Sequence, residues 1–464
     1  MYPVPVSSIA QHFDVSRSYV YILQKEASKL ASAVEQEPSA LFDDLCQKIV
    51  PDKQVVVADD RFYEKMIISL ALDGTASEEG IQRILENNFQ KHVSIGKISQ
   101  ILDQAARRAA EFDESVDLSA IRQGASDEIF QCGNPVLTGV DADTGYVYLL
   151  QPADDRTADT WENAMETCKS RHLDLGVSIS DFGTGLLSGI PKAFPDACIQ
   201  PDLFHFLREL GKEISSQERK VYAMLSDYYK CEASLCGKRI HEKTLQKMLS
   251  LEEKLLPAIE CCDRLLTLYC WLREMTGYQG YSYQDVLSLC YWILDQMEDT
   301  AGITDRIRKV LAKTRKNLSG VLVYLERAEK SLREYALKEG YPEDTFVLLY
   351  RLRGYPPGSR EYRAADRRLR HILRKKYADA YLETEAILKG IKRASSLVEN
   401  LNGRLRRYMN LKRMIPGKFL TQLKVYFNTK KYRRSRNAEH VGKSPLELLT
   451  GQEHPDFYDI VCGR

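Results

Sequence analysis

The chain has 464 residues and carries 66 Lys plus Arg against 65 Asp plus Glu, a formal net charge of +1. That length accommodates about three domains at roughly 150 residues each. Near-neutrality excludes a uniformly basic nucleic-acid coat but not a basic face balanced by acid elsewhere, and 44% hydrophobic with 28% charged residues excludes a mostly disordered chain. No apolar run approaches ~18 residues, so no membrane span is expected. The opening run MYPVPVSSIAQHFDVS has no charged region followed by an apolar core, so no secretory signal is expected either. Eleven cysteines, thinly spread and odd in number, suit a reduced cytoplasmic compartment better than a disulfide framework.

In residues 6–34, Ile9, Ala10, Phe13, Val15, Val20, Ile22 and Leu23 fall at helical spacing around a break at Asp14-Val15-Ser16. Ser16 is a good N-cap, which puts Arg17, Ser18 and Tyr21 on the first turns of a second helix. This is a helix-turn-helix pattern, whose second helix would meet bases and phosphates in a major groove; a helical hairpin without a DNA role is the plainer alternative. Residues 61–120 repeat the theme with RFYEKMIISLALDG ending at Gly74, then SEEGIQRILENNF, then SIGKISQILDQAARRAAEF. Ser94-Ile95-Gly96-Lys97 opens the third helix and places Lys97 toward DNA. Two DNA-binding headpieces are therefore expected, over 1–60 and 61–120.

After residue 120 the pattern changes to short runs rich in Val, Ile, Leu, Tyr and Phe. DEIFQCG, NPVLTGVDA and TGYVYLLQ are separated by Cys132-Gly133-Asn134-Pro135 and Asp141-Ala142-Asp143-Thr144-Gly145, which is turn chemistry. A helix starting near Thr157 or Ala158 follows, with Trp161, Ala164, Met165 and Cys168 on one face. LGVSISDFG then reads as a buried strand, GLLSGIPKAF as a helix, ACIQ as a strand and DLFHFLREL as a helix. The order βββαβαβα gives a mixed sheet with helices on both faces, the order of the ribonuclease-H-like fold. From 213 to 389 every segment has helical period and a charged outer face, which predicts an all-helical insertion. Helix returns in SSLVENLNGRLRRYMNLKR, so 121–212 and 390–464 are expected to be two parts of one catalytic domain. The fold class is α+β and multidomain.

Asp127 lies in the first strand and Asp181 at the end of the fourth; in this strand order the two strands are central neighbours, so carboxylates 54 positions apart meet. Paired hard oxygen ligands suit Mg²⁺, and Glu399, from the helix opened by Ser395 and Ser396, would complete a two-metal site. Asp141 is a rival for the first ligand, since it too ends a strand, and Glu383 and Glu385 are positional rivals of Glu399. Glu128 should point to the opposite face from Asp127.

DEIF, the strand–SDFG–helix unit and SSLVENLNGRLRRYM together resemble DDE/D transposases of the bacterial insertion-sequence type, in the retroviral-integrase superfamily. The resemblance covers 120–212 and 390–450. It implies Asp127, Asp181 and Glu399 as catalytic ligands of two Mg²⁺ ions, for which Mn²⁺ may substitute. Asp202-Leu203-Phe204-His205 is similar to a signature of Mutator-like and hAT-like members and implies His205 near the scissile phosphate. Those members carry a helical insertion before the Glu, which suits the 218 positions between Asp181 and Glu399. The implied activity is cleavage and transfer of DNA strands at the terminal repeats of a mobile element. The implied partners are double-stranded element-end and target DNA and further copies of the chain, as a homodimer or larger assembly associated with the nucleoid. The rival readings are a non-catalytic DNA-binding or assembly protein with this fold, and a structure-selective nuclease.

From Arg404 to Arg436 there is no Asp or Glu, while Arg406, Arg407, Lys412, Arg413, Lys418, Lys424, Lys430, Lys431, Arg433 and Arg434 crowd the same stretch. A solvated helix face mixes signs, so this stretch is expected to contact phosphate. A second basic stretch runs from Arg351 to Lys376. Cys261, Cys262, Cys270 and Cys290 lack CxxC spacing and are expected to be core thiols. Trp161 and Trp271 are expected in the core, and Trp292 either there or stacked on an unpaired base.

Overall fold

The structure is a computed structural model that describes residues 20, 21, 23, 25, 58–235, 242–393, 396–412, 414–435 and 437–463. The expected first headpiece, with Arg17 and Ser18, therefore lies outside the described residues; Tyr21 is helical and exposed. Met1–Leu70 and Ala71–Arg464 are two compact units.

Helices α1 (Asp60–Leu72), α2 (Glu78–Phe89) and α3 (Ile95–Glu114) follow the predicted pattern. The side chains of Ser77 and Ser94 cap α2 and α3 by accepting from the Gly80 and Lys97 amides, which satisfies donors that an α-helix leaves open at its start. Helix α3 buries Ile98, Ile101, Ala105 and Ala109, and it packs on α15 (Gly417–Thr429). No boundary between compact units falls near residue 120, so α2 and α3 belong to the same unit as the sheet.

Five strands, β1 (Gln123–Gln131), β2 (Asn134–Asp141), β3 (Val147–Pro152), β4 (Val177–Ser180) and β5 (Cys198–Pro201), form one sheet in the order 3-2-1-4-5. β1, β2 and β3 pair antiparallel, while β4 pairs parallel with β1 and β5 with β4. Helices α4 (Ala158–Lys169) and α5 (Thr184–Ala193) provide the crossovers. The apolar face of α4, Trp161, Ala164, Met165 and Cys168, is the predicted one and packs with Leu137, Leu149 and Leu186. Both sheet edges are covered. Asn428 of α15 exchanges hydrogen bonds with the backbone of Val147 on β3 (2.8 and 2.9 Å), and Gln200 of β5 donates to the Val321 carbonyl at 2.8 Å.

Beyond β5 the described chain is helical up to Gly390: α6 (Leu203–Leu235), α7 (Glu242–Met275), α8 (Tyr283–Glu298), α9 (Asp305–Val321), α10 (Val323–Lys338), α11 (Thr345–Arg351), α12 (Arg360–Leu373) and α13 (Tyr377–Gly390). These helices share a core containing Leu265, Leu272, Leu311, Tyr324 and Phe346. Cys261 and Cys290 are buried in it and Cys262 is buried as well, as expected, but Cys270 is exposed. Trp271 differs from expectation as well. It is 45% exposed and stacks parallel to Trp292, itself 49% exposed, with centroids 6.4 Å apart. The buried stripe of α7 runs through Cys261, Leu265, Leu268 and Leu272, and Trp271 falls beside it. The chain then returns to the sheet with α14 (Ser396–Leu411) and α15, and ends in α16 (Pro445–Thr450) and α17 (Phe457–Cys462). No helix among the described residues is long and apolar enough to cross a membrane.

Candidate active site

In β1, Asp127 is paired with Thr138 of β2, whose hydroxyl donates to the Asp127 carbonyl at 2.8 Å. On the other side, Ser126 is in register with Ser180, the last residue of β4. Asp127 and Asp181 are therefore the next residues of two adjacent strands, which run about 4.8 Å apart. Strand alternation sends the neighbouring Glu128 to the opposite face, as expected, where it accepts from the Trp161 indole at 3.0 Å and pairs with Arg156 at 3.4 Å. Asp127 is buried. One of its oxygens accepts from the Glu128 amide (2.8 Å) and the other from the Asn402 side-chain amide (2.7 Å).

Asp181 is fixed from behind. Its Oδ1 accepts from the Gly183 amide at 2.8 Å. Any side chain at position 183 would put a Cβ 2.9 Å from that oxygen, so the SDFG run needs its glycine for close approach rather than for unusual torsion angles.

Helix α14 presents Val398, Leu401, Asn402, Leu405 and Tyr408 to the protein interior and packs on β1 and β2. Glu399 and Asn402 are three residues apart and hence neighbours on one helix surface, so the turn that clamps Asp127 also carries Glu399. Glu399 Oε1 is 3.2 Å from His205 Nε2 and 4.0 Å from Arg208 Nη1. His205 sits on the first turn of α6, whose amide at His205 is capped by Asp202 Oδ1 at 2.9 Å. Its Nδ1 faces Asp202 Oδ2 at 3.5 Å, long for a hydrogen bond but close for an ion pair.

The electrostatics follow from this crowding. Burial pushes the Asp127 carboxyl up to about 7, and the charges of Asp181 and Glu399 push the same way against the Glu128 amide and His205. Asp202 holds the His205 imidazole above its ordinary value, with further help from Asp127 and Glu399. Three acids and one imidazole thus act on one another electrostatically at the end of β1 and β4. Such a cluster is short of positive charge, and its donors are the hard oxygens that Mg²⁺ takes. The donor set fits a divalent cation. Even so, no three His, Cys, Asp or Glu side chains among the described residues are gathered into a ready metal cage, and Glu399 is turned to His205.

The rival carboxylates have other work. Asp141 caps the β2–β3 turn by accepting from the Thr144 amide at 2.9 Å, and Glu385 pairs with Arg353. Asn402 had no assigned role in the sequence reading beyond its place in VENLN, because nothing local reveals a partner 275 positions away.

Folding brings acids to the basic stretch that the sequence between Arg404 and Arg436 lacks. Lys418 pairs with Asp103, Lys424 with Asp113 (2.8 Å), Lys430 with Asp73 (2.9 Å) and Lys431 with Glu447 (3.1 Å). Arg404 lies 3.7 Å over the Phe427 ring and Lys412 4.5 Å over Phe419. Arg404, Lys430 and Lys431, expected on phosphate, are thus engaged within the fold. Arg406, Arg407, Arg433 and Arg434 are exposed and have no acidic partner among the described residues. Lys97 is exposed on the first turn of α3, within 3.5 Å of Gln100 Oε1.

No family model and no curated protein matches this chain. Among solved structures it is similar to one in the Drosophila P element transposase strand transfer complex, at 11% identity over 95% of this chain and 97% of that chain, with a TM-score of 0.26. A likeness of that depth carries no functional argument, so function rests on the geometry of the carboxylates.

Proposed function

We propose that the chain is a DNA transposase, cutting and joining strands by in-line phosphoryl transfer at a metal site built on a ribonuclease-H-like sheet that an all-helical insertion interrupts. The observation that supports this is the placing of Asp127 and Asp181 one residue beyond the Ser126–Ser180 pair of two adjacent strands, with Glu399 carried by the helix that clamps Asp127. Asp127, Asp181 and Glu399 would hold the Mg²⁺ ions. When bound, such ions activate an attacking water or 3′-hydroxyl and neutralise the leaving oxygen.

The chain's own residues prepare that site. Asn402 and the Glu128 amide orient the Asp127 carboxylate, and the Gly183 amide orients Asp181. Glu399 reaches the other two carboxylates by leaving His205, and His205 Nε2 is then free to donate to a phosphate oxygen. Arg406, Arg407, Arg433 and Arg434 supply phosphate contacts that position DNA without reading its sequence. Reading falls to the helical headpieces over 1–60 and 61–120, through Arg17, Ser18, Tyr21 and Lys97, and two element ends call for a dimer or larger assembly.

The test uses the purified full-length protein and DNA taken from both flanks of its gene. With Mg²⁺ or Mn²⁺ it should nick and join the ends. Asp181→Asn and Glu399→Gln should bind the same DNA and leave it intact. Normal cleavage by both variants would refute the proposal.

A further inference from the structure

Helix α6 begins at the carboxylates and runs outward against α7 and α9. A groove of about 940 Å³ follows it. Five cationic side chains line this groove, Arg208, Lys212, Arg219, Arg273 and Arg306, against the single carboxylate of Glu213. That carboxylate is already paired with Arg306 at 2.7 Å. Glu209, the next acid on the same helix, pairs with Lys313 of α9 at 2.9 Å. Lys212, Arg219 and Arg273 have no acidic partner among the described residues, so the groove keeps a surplus of positive charge.

Phe204, Arg208, Lys212 and Arg219 recur at spacings of four, four and seven residues, which places them along one face of α6. At 1.5 Å of rise per residue, Arg208 and Arg219 stand about 16 Å apart along the helix, a track several nucleotides long. Its inner end touches the carboxylates, since Arg208 Nη1 is 4.0 Å from Glu399 Oε1. Phe204 is 51% exposed there, with the Arg208 guanidinium 5.7 Å from its ring centroid. Cations interleaved with an exposed aromatic ring are what an unpaired strand requires, phosphates on the charges and a base on the ring. Packed helices have axes only about 8–10 Å apart, so the cleft between α6 and α7 is too narrow for a duplex.

We infer that this groove takes a single nucleic-acid strand leading to or from the carboxylate site, with phosphates on Arg208, Lys212, Arg219 and Arg273 and a base on Phe204. The inference rests on the phosphoryl-transfer reading of the adjoining carboxylates. It names a substrate path that the basic stretches at 351–376 and 404–436 do not.

The experiment measures binding of a fluorescent oligonucleotide of about 20 nucleotides, as single strand and as duplex, by anisotropy across a salt series with EDTA present. The protein is full-length, either unaltered or carrying Lys212→Glu, Arg219→Glu and Arg273→Glu together. Single-strand affinity should fall at least about tenfold. The slope of log K against log salt should flatten by about 2, from three lost contacts at about 0.7 each. Duplex affinity should stay within about twofold. The triple variant with Gln at the same positions should show a smaller loss of the same kind with an unchanged melting profile, which separates charge from folding. Unchanged single-strand affinity, or equal losses on both forms, would overturn the inference. Because binding is read without metal, the two readings fail separately. Cleavage persisting in Asp181→Asn sinks the catalytic reading and leaves the groove standing, whereas strand binding that survives charge reversal sinks the groove alone.

Discussion

Replacing Asp127 by Asn should make the metal-free protein more stable at alkaline pH while abolishing catalysis. The folded protein holds the Asp127 proton up to about 7, against an ordinary value of 3.8. Its stabilising contribution is therefore complete below about pH 4, declines as pH rises toward 7, and is absent above that. At 1.36 kcal/mol per tenfold change in affinity, the gap corresponds to at most about 4 kcal/mol. The Asn side chain carries no charge to desolvate. Its one awkward contact, an amide facing the Asn402 amide, is relieved if Asn402 turns over and offers its Oδ1, which has no partner in the fold. Asp141, whose carboxyl also holds its proton above the ordinary value, is present in both proteins and cancels to first order, whereas His205 loses in the variant the part of its upward shift that the Asp127 charge supplies, which trims the gain. Melting in EDTA should place Asp127→Asn above the unaltered protein at pH 8, with the difference shrinking toward pH 5. Mg²⁺ at pH 8 should raise the melting point of the unaltered protein alone. A difference independent of pH would refute the reasoning, because it would mean that the charge of Asp127 is not what strains the site.

Asn402→Leu should remove the donor to Asp127 Oδ2, weakening Mg²⁺ affinity or activity by about 10–100-fold, as loss of a group that orients a metal ligand typically does; a Mg²⁺ titration of cleavage checks it. Gly183→Ala should disturb the Asp181 carboxylate through a Cβ 2.9 Å from Oδ1, so cleavage should fall severalfold or more while the melting point moves little. Lys424→Ala should break a buried ion pair with Asp113, which Arg171 also contacts at 2.9 Å, at a cost of about 3 kcal/mol. It should leave the salt dependence of duplex binding unchanged, whereas Arg433→Ala with Arg434→Ala should spare stability and flatten that dependence by about 0.9 per lost contact.

Much of the sheet was legible before any coordinates because its signals are local. Gly133 and Gly145 with their Asn and Asp neighbours mark the hairpin turns, and Thr157 caps the first crossover helix where the pattern placed it. Once five short strands and two crossovers are recognised, handedness and short connections leave few sheet orders, and the meeting of Asp127 with Asp181 follows. The charge balance of the basic stretch was not legible, for a physical reason. Lys418, Lys424, Lys430 and Lys431 find their counter-charges at Asp103, Asp113, Asp73 and Glu447, and three of those four acids precede the sheet in sequence. The same blindness hid Asn402, an ordinary helix residue until the sheet supplies its carboxylate. Trp271 was misplaced because a long helix touching neighbours on several sides gives an ambiguous stripe. The helix buries Cys261 and Cys262 with Leu265, Leu268 and Leu272, and leaves Cys270 and Trp271 on its exposed side. In α6 the acids Glu209 and Glu213 mask the groove in the sequence, and only their pairing with Lys313 and Arg306 unmasks its charge.

Crystals grown with Mn²⁺, examined by anomalous scattering, test the central claim most directly. Manganese density should lie within coordination distance of carboxylate oxygens from Asp127, Asp181 and Glu399, with Glu399 withdrawn from His205. Manganese bound elsewhere, or a Glu399 that stays on His205 at saturating Mn²⁺, would contradict it.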